Sequence, residues 1–279
     1  MPTFLELAHV NVARGENIVL RDINLSVQTG EHIAILGPNG CGKSTLIKTI
    51  TCECYPLFKP EMRVRIFGRE RWDLVELKKR LGVVSAEPPA RQALKTTGRD
   101  AVLTGFFSSS TLWPNLVVTD AMRARGEEVL RLVDAVDFAE KLVGEMSAGQ
   151  QRRIMIGRAL VGSGSGAEAP TGAISGSEGH ISAATEMLLL DEPSNALDLA
   201  SQAELRELLR RLARKGTGIL LITHHIADIP PEIHRILMMR EGRIVADGAK
   251  AELLTEERLS ELFGTKVSLT ERDGFYHAW

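Results

Sequence analysis

The sequence has little that could cross a membrane: its longest uninterrupted apolar runs are four residues, among them Ile219–Ile222 and Met187–Leu190. A spanning helix needs about 20 apolar residues, so the chain is expected not to cross a bilayer unaided. The opening MPTFLELAHVNV has no basic stretch followed by an apolar one, so no secretory signal is expected. The net charge is only −2, which offers no broad basic footprint for nucleic acid, and no nucleic-acid partner is expected. Cysteine is scarce: Cys41, Cys52 and Cys54 fall within fourteen residues. An odd, small number argues against a disulfide framework and for a reducing cytoplasm. Cys52-Glu53-Cys54 lacks a second ligand pair, so it reads as helix-end packing and not as a four-ligand metal site. The rest is ordinary for a globular chain: 279 residues, 44% hydrophobic and 25% charged, enough for one large domain or two small ones with a sizeable core.

Apolar alternation predicts strands at Phe4–Asn11 and Ile18–Val27, punctuated by Gly15 and Gly30. His32–Leu36 reads as a buried strand ending in a Gly-rich loop, with helical character over Thr45–Thr51. Short strands are predicted at Arg63–Phe67 and Gly82–Ser85, around a charged helix at Leu74–Arg80. From about 87 to 144 the pattern turns helical, at Ala101–Phe107 and Arg123–Val136, with a loop carrying Trp113 between them. The α/β pattern returns with a helix at Gln150–Val161, a strand at Met187–Leu190 and a helix at Leu199–Lys215. Asp198 is the predicted N-cap of that last helix and Gly216 its stop. A strand at Ile219–Thr223 and a hairpin at Arg235–Ala246 close the frame. Strands alternating with helices predict a largely parallel, covered sheet. The Gly/Ser/Ala-rich stretch 162–186 reads as a surface loop, and the tail 266–279 as a hairpin turning at Asp273-Gly274.

Gly37-Pro38-Asn39-Gly40-Cys41-Gly42-Lys43-Ser44-Thr45 fits G-x-x-x-x-G-K-[ST]. Glycines let the backbone curl so that successive N–H groups face phosphate oxygens, and the following helix adds its positive end. Lys43 is placed to reach the β- and γ-phosphates of ATP, and the Ser44 hydroxyl to bind Mg²⁺. A chain of this length matches the pattern by chance about once in a hundred, and a strand before it with a helix after it tightens the reading.

A second cluster ends the strand Met187–Leu190 with Asp191 and Glu192. Asp191 is the candidate Mg²⁺ partner, through water, and Glu192 the candidate base for the attacking water. Adjacent acids alone are a weak signal; behind a phosphate loop in the same chain they gain weight.

Met146-Ser147-Ala148-Gly149-Gln150-Gln151-Arg152-Arg153 resembles the signature motif of the ATP-binding cassette family, with Ala148 where a second glycine is common. Read physically, Ser147 with Gln150 is a capping box opening a helix. Asn195-Ala196-Leu197-Asp198 resembles the family's D-loop, Thr223-His224 its switch histidine, and Arg240–Gly248 its closing hairpin. His225 is the competing histidine; the position directly after the threonine favours His224. The resemblance covers nearly all of residues 3–263. It implies an α/β fold: a P-loop NTPase (RecA-like) core with an antiparallel β subdomain and a helical subdomain inserted at about 87–150, the whole cassette spanning 1–265. It also implies that Ser147, Ala148, Gly149 and Gln150 face the γ-phosphate held by the other subunit of a dimer.

Two positions depart from the family pattern. The glutamine usual after the strand at Gly82–Ser85 is replaced by Ala86, followed by Glu87, which is a candidate substitute at the metal. Where an aromatic residue often stacks on adenine, the matching place falls near Arg14, whose guanidinium plane could stack instead. The function implied is an ATP-hydrolysing subunit of a membrane transporter, cytoplasmic and peripheral on the membrane's cytoplasmic face. Its expected partners are a second copy or a paralogous ATPase subunit, and separate transmembrane permease subunits. The alternative is a soluble cassette ATPase in translation, repair or regulation. One phosphate loop and no sustained heptads weigh against the translation and repair types. A catalytically dead regulator is opposed by Lys43, Glu192 and His224 together, and a P-loop kinase by the signature. Residues 225–233 and 97–113 are loosely similar to cassettes of metal-chelate or molybdate uptake.

Overall fold

A computed structural model describes residues 2–85, 87, 89–162 and 185–279. Thr3–Arg14 (β1) and Asn17–Gln28 (β2) form an antiparallel ribbon. His32–Leu36 (β3) follows, and its loop opens into Lys43–Ile50 (α1). Arg63–Ile66 (β4) returns to β1, giving a three-stranded layer in the order β2-β1-β4. Leu74–Arg80 (α2) starts at Asp73, whose carboxylate accepts the N–H groups of Val75 and Glu76, and runs directly into Leu81–Val84 (β5). The helical segment comprises Gly98–Leu103 (α3) and Asp120–Leu132 (α4), N-capped by Thr97 and Thr119. Ala148–Val161 (α5) comes next. Then follow Met187–Asp191 (β6), Leu199–Arg214 (α6), Gly218–Thr223 (β7), Arg235–Arg240 (β8) and Arg243–Ala249 (β9). The chain closes with Lys250–Leu253 (α7), Glu256–Phe263 (α8), Leu269–Arg272 (β10) and Phe275–Ala278 (β11).

The main sheet has the order β5-β6-β7-β3-β8-β9, and every neighbouring pair but β8–β9 is parallel. β6 and β7 are buried along their whole length, as their unbroken apolar runs require of central parallel strands. The period of two divides them. Ala34, Leu36, Leu188, Leu190, Ile219 and Leu221 face the core shared with α3–α6. Ile33, Ile35, Leu189, Leu220 and Ile222 face the core shared with α1 and the antiparallel layer. Parallel pairing has a consequence for function: the C-terminal ends of β5, β6, β7 and β3 lie along one edge, with Leu36 in register with Thr223 and Asp191 with Ile222. That edge is where open α/β sheets bind ligands.

The expected elements form, with shifted ends. α1 begins two residues before Thr45. The helix predicted to reach Val136 stops at Leu132, because Asp134 takes a positive φ of 51° that ends the turn. Ala101–Phe107 divides into α3 and a 3₁₀ turn at Thr104–Phe107. α7 and α8 have no counterpart in the sequence reading, although Thr255 caps α8 and Gly264 follows it in the left-handed region. Cys52 and Cys54 pack against the antiparallel-layer core just past α1. The C-terminal hairpin turns at Asp273-Gly274 as expected. Residues 163–184 of the Gly/Ser/Ala-rich stretch, and Ala86, lie outside the described residues. Among those described, no helix is long and apolar enough to cross a membrane.

Candidate functional site

The loop from Gly37 to Gly42 is shaped by close approach. A Cβ on Gly37 would lie 2.2 Å from the Met239 carbonyl oxygen, so β8 passes too near for any side chain there. Gly42, at φ +109°, also presses on Leu20 of β2. The β8–β9 turn covers the loop from outside, where the Gly242 N–H donates to the Cys41 carbonyl at 3.0 Å. Cys41 is buried in the core of the antiparallel layer, and burial pushes its thiol pKa up.

Lys43 opens α1 and is 5% exposed. Its Nζ donates to the carbonyls of Gly37 at 2.7 Å and Pro38 at 3.0 Å, which curls the side chain back under its own loop. The same Nζ stands 4.0 Å from Glu192 Oε1. Glu192 leaves β6 with a φ of 45°, uncommon outside glycine, and its N–H donates to the Ile222 carbonyl. His224, just past β7, donates from Nδ1 to Glu192 Oε1 at 3.0 Å. One carboxylate oxygen therefore lies between the lysine and the histidine. His225 packs beside His224, the rings tilted by 41° with centroids 4.0 Å apart, and its backbone N–H donates to Thr223 Oγ1.

Asp191 ends β6 in a buried position. Burial raises its carboxyl pKa, the neighbouring Glu192 adds to that, and hydrogen bonding by Ser44 with the charge of Lys43 opposes it. Ser44 thus lies near Asp191, at the tips of α1 and β6. Glu87 is 78% exposed; it lies 3.8 Å from Lys48 Nζ and near enough to Asp191 to raise its pKa further.

Other candidates stand apart. Arg14 sits exposed at the end of β1, paired with Asn17 beyond the stretch of β2 that packs on Gly42. Ser147 forms the expected capping box: its hydroxyl accepts from Gln150 N–H, and Gln150 Oε1 accepts from Ser147 N–H. Ala148 and Gly149 open α5, with Gly149 against Ser201 of α6. The structure does not bring these four residues to Lys43 or Glu192. Asn195 and Ala196 are exposed, Leu197 is buried, and Asp198 caps α6 by accepting the Ser201 N–H. Pro38, Asn39, Gly40 and Thr45 occupy the rest of the loop and the first turn of α1.

Two groups escaped the sequence reading. Arg152 of α5 donates to the Ser85 carbonyl at 2.9 Å, linking that helix to the end of β5; burial lowers its pKa and Asp191 opposes this. Asp228 is buried below β7, and the only signal for it is one acid inside the apolar run Ile226–Ile229.

A covered parallel sheet with a glycine-shaped loop closed by lysine, an acid pair at one strand end and a histidine at the next defines a P-loop ATPase cassette. Comparison with known proteins agrees. The model of the ABC transporter family matches residues 20–165. The hemin import ATP-binding protein of Hahella chejuensis is 31% identical over 259 residues, covering 91% of this chain and 90% of its own. The zinc transport system ATP-binding protein of Treponema pallidum is 28% identical over 268 residues, covering 95% and 89%. A solved ATP-binding cassette of an ABC transporter, in its ADP conformation, shares the fold with a TM-score of 0.76 at 22% identity, covering 94% and 98%. The chain belongs to the ABC transporter family and is an ATP-binding, ATP-hydrolysing transport subunit. These similarities favour transport over a soluble role in translation, repair or regulation.

Proposed function

We propose that Glu192 is the base and His224 the orienting group of MgATP hydrolysis at the tips of β3, β6 and β7. The observation that carries this is the chain Lys43 Nζ–Glu192 Oε1–His224 Nδ1, at 4.0 and 3.0 Å. The curled loop Gly37–Thr45 presents its N–H groups to the phosphates, and Lys43 exchanges its carbonyl partners for the β- and γ-oxygens. Water attacks the γ-phosphorus and its proton passes to the Glu192 carboxylate. The bond to the bridging oxygen breaks with its electron pair leaving on ADP. The His224 N–H holds Glu192 in the orientation for that transfer. Ser44 and Asp191 are neighbouring hard oxygen donors, a hydroxyl and a buried carboxyl, and that donor set fits Mg²⁺, with Asp191 reaching it through water. Those two, with Glu87 as a further candidate, would hold Mg²⁺, which would supply positive charge against the phosphates. Arg14 supplies a plane for the adenine.

The exposed start of α5 is the other half of the reading. Ser147, Ala148, Gly149 and Gln150 meet the γ-phosphate bound by a second copy, with the Asn195–Asp198 loop crossing between the two. A capped, exposed helix start is suited to an anion. The unit around 87–150 docks on separate permease subunits, which places the protein on the cytoplasmic face of the membrane. The hemin import and zinc transport relatives support transport of a metal ion or metal chelate.

Glu192→Gln tests the core of this. Turnover is expected to fall by about 100-fold or more while ATP still binds, and an ATP-bound dimer should accumulate on gel filtration. Near-normal phosphate release would remove Glu192 from the base role.

A further inference from the structure

The 3.0 Å contact between His224 and Glu192 joins two loops that leave two different strands. Backbone pairing between β6 and β7 ends at the Glu192 N–H to the Ile222 carbonyl. Past that point, the hydrogen bonds seen between the loops run through side chains. One residue gathers them. Asp228, 4% exposed, closes the 3₁₀ turn Ile226–Asp228. Its Oδ2 accepts the Ser194 hydroxyl, two residues after Glu192, in a short hydrogen bond. The same oxygen accepts the Thr223 hydroxyl at 3.1 Å, one residue before His224. Thr223 Oγ1 in turn accepts the His225 N–H at 2.9 Å.

Burying a carboxylate is costly, and among the described residues no cation pairs with this one. A residue needed only to fill this space could be apolar, since Ile226 and Ile229 on either side already serve the core. What a carboxylate adds is a fixed meeting point for two hydroxyls. The turn that carries it is held from behind. Lys250 Nζ donates to the Pro230 carbonyl at 3.2 Å and the Gly274 carbonyl at 3.3 Å, and the C-terminal hairpin packs on Pro231.

We infer that Asp228 is a positioning residue for hydrolysis: by clamping Ser194 and Thr223 it sets the registration of Glu192 against His224. This rests on the reading of Glu192 and His224 given above. The full chain with saturating MgATP provides the test. Asp228→Asn is expected to lower kcat about 10- to 100-fold while KM for ATP stays within about twofold, because an error near 1 Å in a catalytic group costs about that much. In the His224→Ala background the same substitution should lower kcat by less than about threefold, since its effect passes through the histidine. Thr223→Val, which removes the hydroxyl at equal volume, should reproduce the kcat loss, and Thr223→Ser should restore most of it. A folded Asp228→Asn with unchanged kcat overturns the inference. So does a kcat loss of equal size with and without His224, the mark of general destabilisation. If Asp228→Asn does not fold, the Thr223 pair decides: equal kcat for Val and Ser also overturns it. Full turnover in Glu192→Gln would instead remove the base assignment, and that outcome is separate from every outcome at Asp228.

Discussion

The two halves of the proposed ATP site are built differently. At the strand tips, Lys43, Asp191, Glu192 and His224 are brought together from three strand ends by sheet pairing, and Lys43, Glu192 and His224 are linked by contacts within the chain. At the start of α5, Ser147 and Gln150 satisfy each other, and among the described residues no side chain from the strand tips bonds to them. The first half is complete as a geometry. The second is a capped helix end facing outward, complete as a fold and incomplete as a site. The difference teaches that binding should reside in one half and turnover in both.

The largest effect expected is at Lys43. Lys43→Ala should abolish measurable ATP binding and turnover together, as followed by a fluorescent ATP analogue and phosphate release. Ser147→Arg should separate the two: ATP binding retained, turnover lost. Mixing the two inactive variants then sharpens the comparison. If the halves meet across a two-fold dimer, half of the mixed dimers pair unlike chains, and each such dimer holds one intact site. Turnover should recover to about a quarter of wild type. No recovery, with dimers shown to exchange, would break the assignment of the α5 start to the second chain's nucleotide.

One substitution made at both halves gives the next largest effect. Gly37→Ala meets the Met239 backbone oxygen at 2.2 Å, and a β-sheet carbonyl cannot move aside. Gly149→Ala meets the Ser201 hydroxyl at 2.5 Å, which can rotate away, and the Ser201 Cβ at 2.9 Å, which clears only if α5 and α6 part slightly. The first should cost about 1–3 kcal/mol or more; the second, with a milder overlap and no backbone oxygen in the way, should cost less, measured by urea unfolding. Equal losses would mean that the start of α5 is as rigidly built as the phosphate loop.

These contrasts also explain what the sequence could reveal. The phosphate loop, the acid pair and the histidine were legible because each is a local string whose chemistry dictates its spacing, and the buried strands because their apolar runs admit little else. The start of α5 was legible as a capping box for the same reason. Asp228 was not, since its partners Ser194 and Thr223 are 34 and 5 residues away and meet it only in the fold. Arg152 was quoted within a motif, but its reach to Ser85, 67 residues away, could not be read from that string. α8 was missed although Thr255 and Gly264 bracket it and its buried Leu259 and Leu262 share one face, because its 8 residues make little more than two turns.

The smallest effect separates the two roles of Ser147. As an N-cap its hydroxyl accepts the Gln150 N–H at 3.2 Å, and Ser147→Ala should cost about 1 kcal/mol, lowering Tm by about 2 °C in a domain of this size. Ser147→Asp retains a capping oxygen and adds a charge favoured at a helix start, so Tm should stay near wild type. That same charge would stand where the proposal puts the γ-phosphate of a second copy, and turnover should fall even though the fold is kept. A Ser147→Asp protein that is both stable and fully active would leave the residue as a cap alone, and the second half of the site would have to be sought elsewhere on the chain.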